Sequence, residues 1–232
     1  MEFLAEVGGQ PGDVVLDALL AEHGPLEEHR DVPETLIAPL IGTVPDLLID
    51  LWRAHGVGAL RERGLWLVMP GTLDAVADRM FAGDPDFGGD TTIIVYGAMG
   101  NLLCWNVRHG PMLVESVGGA VQAPGLMRPA ERRPDDTELL RYLRELHPFF
   151  FDRVDSANER MLDRARKKLG PLSAGQVYAT YPVQTLGEDI GIANVVIDDI
   201  NAYLTEIVLG IGFMLQDYEG KRFNIRDIGG VR

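Results

Sequence analysis

The stretch that decides the fold reads PDLLIDLWRAHGVGAL at residues 45–60, GLWLVMPGTLDAVADRM at residues 64–80 and TTIIVYGAMGNLLCW at residues 91–105. Apolar side chains at helical spacing predict that its first part is a helix with one buried face, formed by Leu47, Leu48, Leu51 and Trp52. Gly56 follows as the predicted C-cap of this helix. The stretch outlines a compact helix-and-hairpin unit and contains no set of residues that would perform chemistry.

The middle of the chain predicts an antiparallel meander. Thr72 is the predicted cap of a second helix. Residues 92–96 and 102–107 are strand-like runs joined by GAMGN, which is typical of a hairpin. Pro111 precedes a third strand-like run, MLVESV. Residues 91–118 are therefore expected to form a meander with helices packed on one side.

Two segments divide the chain by their composition. Residues 25–42, PLEEHRDVPETLIAPLIG, hold three prolines and are predicted to form an irregular arm. Residues 123–135, APGLMRPAERRPD, are the best candidate for a linker. We therefore predict an α+β fold with a first domain at residues 1–125 and a smaller mixed α/β unit at residues 126–232.

The second unit combines helices and strands. Ser156, with a glutamate three residues later, has the pattern of a capping box at the start of a helix. Residues 176–185 and 192–197 are rich enough in β-branched and aromatic side chains to form strands. Asp198 or Asp199 is expected to cap the following helix, and the last part of the chain to form a hairpin or extended ends.

The chain is acidic, and its charge is unevenly distributed. Its 232 residues include 35 acids and 21 lysines or arginines, for a net charge of −14. Residues 1–130 hold 18 of the acids and only 7 of the bases. Because nucleic-acid affinity depends on cations that neutralise phosphates, direct nucleic-acid binding is disfavoured. A basic protein partner is favoured instead, although acidity that serves only solubility explains the same composition.

The chain has the pattern of a cytoplasmic protein. No apolar stretch approaches the roughly 20 residues that span a bilayer, so we expect no membrane association. The N-terminal sequence lacks the basic and apolar regions of a secretory signal. The single cysteine, Cys104, excludes an internal disulfide and is compatible with a reducing compartment.

Candidate catalytic and ligand-binding groups have simpler explanations. The glycine clusters lack the Gly-Lys-Ser/Thr ending of a phosphate loop, and no two histidines stand four residues apart. Cys104 lies in an apolar run, which is typical of an inert buried thiol. Asp84, Asp86 and Asp90 lack the closing glutamate of a calcium loop. The residues therefore predict a protein that is not an enzyme and has no cofactor and no metal site.

The scaffold positions resemble a known family, the GAD-like domain of bacterial immunity proteins in type VI secretion systems. The matching residues of the first unit are Trp52, Gly56, Gly58, Trp66, Pro70, Leu73, Tyr96, Gly97, Gly100, Asn101 and Trp105. The second unit resembles the C-terminal domain that accompanies it, through Leu169, Gly170, Leu172, Gln176, Val177, Tyr178 and Gly187. The resemblance covers roughly residues 20–215.

This resemblance implies a protein that binds and neutralises a cognate secreted toxin, commonly a DNase, by direct contact and without catalytic residues of its own. An acidic surface suits a DNase, whose DNA-facing surface is expected to be basic. The candidate contact residues are the acids of the arm and of the glycine-rich loop, which are expected to be exposed because these segments are irregular: Glu27, Glu28, Asp31, Glu34, Asp84, Asp86 and Asp90.

Two other functions fit the same residues. A regulatory module that binds a ligand or another protein, without a toxin partner, is the main alternative, with a pocket formed by the aromatic and glycine-rich turns at residues 96–105. A hydrolase with a dispersed site is the third.

Overall fold

The computed structural model describes residues 17, 20, 24–146, 148–183 and 191–229. Most of its strands belong to one nine-stranded sheet with the order β1-β2-β3-β4-β5-β6-β7-β10-β11. The strands of this sheet are β1 Glu27–Arg30, β2 Val57–Leu60, β3 Leu65–Leu67, β4 Thr91–Gly97, β5 Leu102–Asn106, β6 Gly110–Glu115, β7 Ala120–Gln122, β10 Phe213–Gln216 and β11 Asp227–Ile228. The remaining strands, β8 Gln176–Thr180 and β9 Val195–Asp199, form a separate antiparallel pair.

The meander predicted from residues 91–118 is confirmed as β4, β5 and β6. Neighbouring strands of the large sheet are antiparallel, except that β7 and β10 run parallel, with Leu215 opposite Val121. This one parallel contact joins the two halves of the chain into a single sheet. The predicted domain boundary between residues 125 and 126 stays a prediction.

Helices lie between the strands in sequence. They are α1 Glu34–Ile37, α2 Asp46–His55, α3 Asp74–Met80, α4 Pro124–Met127, α5 Asp135–Glu145, α6 Pro148–Phe151, α7 Leu162–Leu169 and α8 Ile200–Gly210. Short 3-10 turns cover Ala38–Leu40, Pro129–Glu131 and Ile192–Asn194. Helix α2 ends at Gly56 in a left-handed conformation (φ 65°), as its sequence predicted.

Alternate residues of the central strands enter two different cores. On β5, Cys104 belongs to the core that also contains residues of α3, α7 and α8, whereas Trp105 belongs to the core formed with α2 and α5. Successive side chains of a strand point to opposite faces, so helices cover both faces of the sheet. The α+β class is confirmed, and the structure has a second helical layer where the sequence indicated helices on one side.

Several local predictions change because side chains reach across the chain. Helix α3 begins after Leu73, and Thr72 donates its hydroxyl proton to the Met69 carbonyl instead of capping the helix. Helix α7 begins only at Leu162, whose amide donates to Asp152 Oδ1 at 2.8 Å, so the predicted capping box at Ser156 is wrong. The cap of α8 by Asp199 is confirmed, at 2.9 Å from the Ala202 amide.

The predicted arm and the predicted linker both contain regular structure. Residues 25–42 hold β1 and α1, which the prolines did not prevent, because Pro33 lies just before the first helical residue, where no amide proton is needed. Residues 123–135 hold α4 and a 3-10 turn, and Arg128 in this segment is ion-paired with Asp217. Neither segment is therefore an irregular connection throughout.

Candidate functional site

The four predicted contact acids near the start of the chain lie along one end of the large sheet. We call Glu27, Glu28, Asp31 and Glu34 the acidic arm. All residues of β1 are exposed, and β1 is the terminal strand of the sheet order. Gly56 allows β1 to approach β2, because a Cβ atom at this position would lie 2.3 Å from the Arg30 carbonyl oxygen.

Ion pairs hold the acidic arm in place. Arg63 Nε lies 2.8 Å from a Glu27 carboxylate oxygen, and Arg63 Nη1 lies 2.8 Å from a Glu28 oxygen. Glu28 also accepts the amide proton of Ala174 at 2.8 Å, which connects β1 to the segment before β8. Asp31 is the most available acid, since its side chain is 98% exposed.

A second acidic segment, which we call the acidic loop, contains Asp84, Asp86 and Asp90. Arg226 Nη1 donates to Asp84 at 2.6 Å, and its Nη2 donates to Asp86 at 2.6 Å. The expectation that these acids are exposed is wrong for Asp84, whose side chain is 0% exposed. Asp90 is partly exposed and pairs with Arg108 at 2.9 Å. Of the loop acids, Asp90 is therefore the most accessible to a partner.

Aromatic rings support the acidic loop from inside. Phe87 is fully buried, and the Arg226 guanidinium lies over its ring at 5.5 Å. The His109 ring packs edge-on against Phe87, with Nε2 3.8 Å from Asp86 Oδ1. Burial lowers the pKa of His109, and the nearby arginines act in the same direction. The Phe87 that interrupts the polar run in the sequence is the loop's anchor in the core.

Beside this loop lies a cleft of about 390 Å³ that is rich in arginine. Arg128, Arg132, Arg133 and Arg141 line it, together with His109. Each arginine already has a carboxylate partner, such as Asp217 for Arg128 at 2.6 Å and Glu138 for Arg141 at 2.7 Å. The sequence signal was the run RPAERRPD, which was interpreted as part of a linker.

A second cleft, of about 540 Å³, has mainly apolar walls and one unusual cation. Its apolar lining consists of Leu113, Val114, Leu146, Phe150 and Val154, and its polar lining of Asn101, Glu115, Gln122, Asp152, Arg153 and Tyr218. Arg153 Nη1 is buried, and no acceptor bonds to it among the residues that the structure describes. We call this the Arg153 cleft. Sequence reasoning missed it because its walls come from five separate segments.

The aromatic and glycine-rich stretch at residues 96–105 does not line one pocket. Tyr96 lines a smaller cavity of about 270 Å³, where its hydroxyl accepts the Gly175 amide proton at 3.1 Å. Asn101 lines the Arg153 cleft instead, and Trp105 is buried in a core. The pocket expected at this stretch is thus divided among different environments.

Cys104 is fully buried, and burial raises the pKa of its thiol far above the ordinary value. Within the described residues, no three histidine, cysteine or acidic side chains converge in a way suited to a metal ion. None of the helices in the same part of the chain combines the length and the apolar character that crossing a bilayer requires.

Comparisons with known proteins agree with this fold. The crystal structure of Atu4351 from Agrobacterium tumefaciens is similar with a TM-score of 0.85 and 22% sequence identity, over 92% of this chain and 97% of that chain. At this identity the likeness concerns the fold. No curated protein matches the chain. The family model of the GAD-like domain matches residues 14–116, a range that includes β1 to β6 and all seven predicted contact acids. Residues 14–116 are therefore a GAD-like domain, as the sequence pattern predicted.

Proposed function

We propose that this protein is a cytoplasmic immunity protein that binds a cognate secreted antibacterial toxin, a DNase, and neutralises it by direct contact. The observation that carries the proposal is the acidic arm on the terminal strand of a GAD-like domain. On this proposal the protein acts stoichiometrically and catalyses no reaction.

The charge of the arm supports a basic partner. Glu27, Asp31 and Glu34 keep substantial exposed carboxylate surface beside their arginine or histidine neighbours. A DNase must present cations to the phosphates of its substrate, so its DNA-facing surface is complementary to this arm. Such charges raise the association rate and select the partner more than they set the final affinity.

Apolar side chains beside the arm provide the other component that a tight interface needs. Leu36 and Ile41 are large hydrophobic residues with exposed surface, and Ile41 is 52% exposed. Protein interfaces usually gain most of their affinity from a few desolvated anchors surrounded by a polar rim. We place these two residues at the centre of the toxin contact and the acidic arm at its rim.

The test is reconstitution with the toxin encoded beside this gene. We expect the two purified proteins to co-elute at a fixed ratio, and DNA cleavage by the toxin to stop once one equivalent of this protein is added. Nuclease activity that persists in excess protein, or separate elution of the two proteins, would overturn the proposal. Heat-denatured protein serves as the control for nonspecific inhibition.

A further inference from the structure

One nitrogen of the Arg153 guanidinium is buried without an acceptor in the described part of the chain. Arg153 is half-buried, and its Nη1 atom is buried without a hydrogen-bond partner among the described residues. Other buried or half-buried arginines of the chain, such as Arg128 and Arg226, have carboxylates within 2.6 Å. A buried donor of a charged group is costly to leave without an acceptor, so an acceptor from outside the chain is expected.

The carboxylate next to Arg153 in sequence is already used. Asp152 Oδ1 accepts amide protons from Arg153 at 2.8 Å, Met161 at 3.1 Å and Leu162 at 2.8 Å. This oxygen thereby serves the start of α7. The charge of Asp152 thus stabilises the helix start, and among the described residues no ion pair joins it to the side chain of its neighbour Arg153.

Within the described residues, one further polar atom without a partner belongs to Ser116, the residue after Glu115 of the cleft lining. Ser116 Oγ is buried without a partner in the described chain, and the Ser116 amide donates to Asn101 Oδ1 at 3.3 Å. Asn101 lines the cleft and is itself almost fully buried.

The rest of the cleft restricts what can bind there. Five of its lining residues are apolar, and its volume of about 540 Å³ lies in the range of small-molecule sites. One cation beside two acids, Glu115 and Asp152, does not favour a multiply charged phosphate. A ligand with a single carboxylate matches the planar set of donors of arginine. The apolar remainder of such a ligand would contact the apolar walls of the cleft.

We propose that the Arg153 cleft binds a small organic monocarboxylate with an apolar body, through an ion pair between Arg153 and the carboxylate. Asn101 supplies a second polar contact, and Leu146 and Phe150 cover the apolar part. This site is independent of the proposed toxin binding, and the isolated protein is sufficient to test it.

The test uses hexanoate as the probe and hexan-1-ol as its uncharged match, with calorimetry on the full chain. We expect hexanoate to bind with a dissociation constant on the order of 1 mM. Hexan-1-ol should bind at least about tenfold more weakly, since it cannot form the ion pair. In an NMR titration, the Arg153 Nε–H resonance should shift with hexanoate and not with the alcohol.

Variants separate the ion pair from general apolar binding. Arg153→Gln should lose at least about tenfold in hexanoate affinity, a loss equivalent to about 1.4 kcal/mol. Glu115→Gln, which removes a repelling charge at the cleft, should strengthen hexanoate binding. Arg133→Gln, which alters the other cleft, should leave it unchanged.

Equal affinity for hexanoate and hexan-1-ol would overturn the proposal, and so would undiminished binding by a folded Arg153→Gln variant. If that variant does not fold, weaker hexanoate binding by Glu115→Gln would contradict an anionic ligand. Absence of hexanoate binding at about 10 mM, well above the expected dissociation constant, would also overturn it.

Discussion

Arg226 forms an ion pair with Asp84, which lies 142 positions earlier in the sequence, and its Nη1 is 2.6 Å from Asp84 Oδ2. The same carboxylate accepts amide protons from Asp86, Phe87 and Gly229. Burial raises the pKa of Asp84, but these hydrogen bonds outweigh it and hold the pKa below its ordinary value. The pair thus ties the last part of the chain to the acidic loop.

Removal of this cation should destabilise the fold. Arg226→Met leaves a buried carboxylate unpaired, so we expect the free energy of unfolding to fall by about 3 kcal/mol. Arg53→Met is the matched control, because it breaks an exposed, solvent-screened pair with Glu34 and should lower the free energy of unfolding much less. Urea unfolding followed by circular dichroism measures both. Equal losses in the two variants would show that Asp84–Arg226 acts as an ordinary surface pair.

The stability of the fold should depend on pH through Asp217. Hydrogen bonds from Arg222 and Arg128 hold the pKa of Asp217 well below its ordinary value. A lowered folded-state pKa stabilises the protein above the pKa of an unfolded aspartate, and this contribution disappears as the pH falls toward the folded-state pKa.

Asp217→Asn should therefore have a lower melting temperature than the native protein at pH 7. The difference between the two melting temperatures should narrow as the pH falls below about 4. Thermal unfolding across this range measures it. Glu219→Gln, whose parent side chain is 77% exposed, should show a smaller gap at every pH. A gap for Asp217→Asn that widens in acid would contradict the assignment.

The close approach of β1 to β2 should depend on Gly56. Gly56→Ala brings a left-handed strain of about 1 kcal/mol and a further loss of about 2 kcal/mol, because its Cβ meets the Arg30 carbonyl. Gly71→Ala is the control, since Gly71 also has positive φ but its Cβ position is open.

Denaturant unfolding compares the two alanine variants, and hydrogen exchange at Val57 reports on the β1–β2 pairing. If both variants lose the same stability, steric contact with Arg30 is not what restricts this position.

Charge reversal on the acidic arm should slow association with the cognate toxin. We expect the double variant Asp31→Lys and Glu34→Lys to associate about tenfold more slowly at low salt, and to approach the native rate above about 0.3 M salt. Asp163→Lys reverses an exposed charge on α7 and should change the rate little. Surface plasmon resonance at several salt concentrations provides the rates. A uniform slowing at all salt concentrations would point to damage of the interface instead of lost electrostatic steering.

Cys104 should be unreactive until the protein unfolds. Its thiol is fully buried and its raised pKa keeps it protonated, so a disulfide reagent should label it in denaturant and not in buffer at pH 8. Labelling of the folded protein within minutes would show that β5 opens readily.

Local patterns predicted the elements that depend on near neighbours. Helix α2, its Gly56 cap and the β4–β5 hairpin follow from spacing and turn residues, and each lies where the sequence indicated. The sequence did not predict that helices cover both faces of the sheet. The run LLCWN of β5 was a usable signal, because strands that are buried on both faces lack alternation of apolar and polar residues.

The candidate sites were less predictable than the fold. The irregular segments around Asp31 and Asp84 predict exposed acids, which is right for Asp31 and wrong for Asp84. The difference lies in Arg226, whose distance in sequence gives no local signal. The Arg153 cleft has no local sequence signal because its lining comes from separate segments of the chain.

The sequence by itself determined the α+β class and the acidic character, since these depend on composition and on periodicity within single elements, and its resemblance to the GAD-like domain was confirmed for residues 14–116. Only the tertiary structure decided that β7 pairs with β10, that Arg226 neutralises Asp84 and that the buried Arg153 Nη1 has no acceptor among the described residues. Such contacts join residues from distant parts of the chain, and their energies depend on burial and geometry that arise only when the elements pack together.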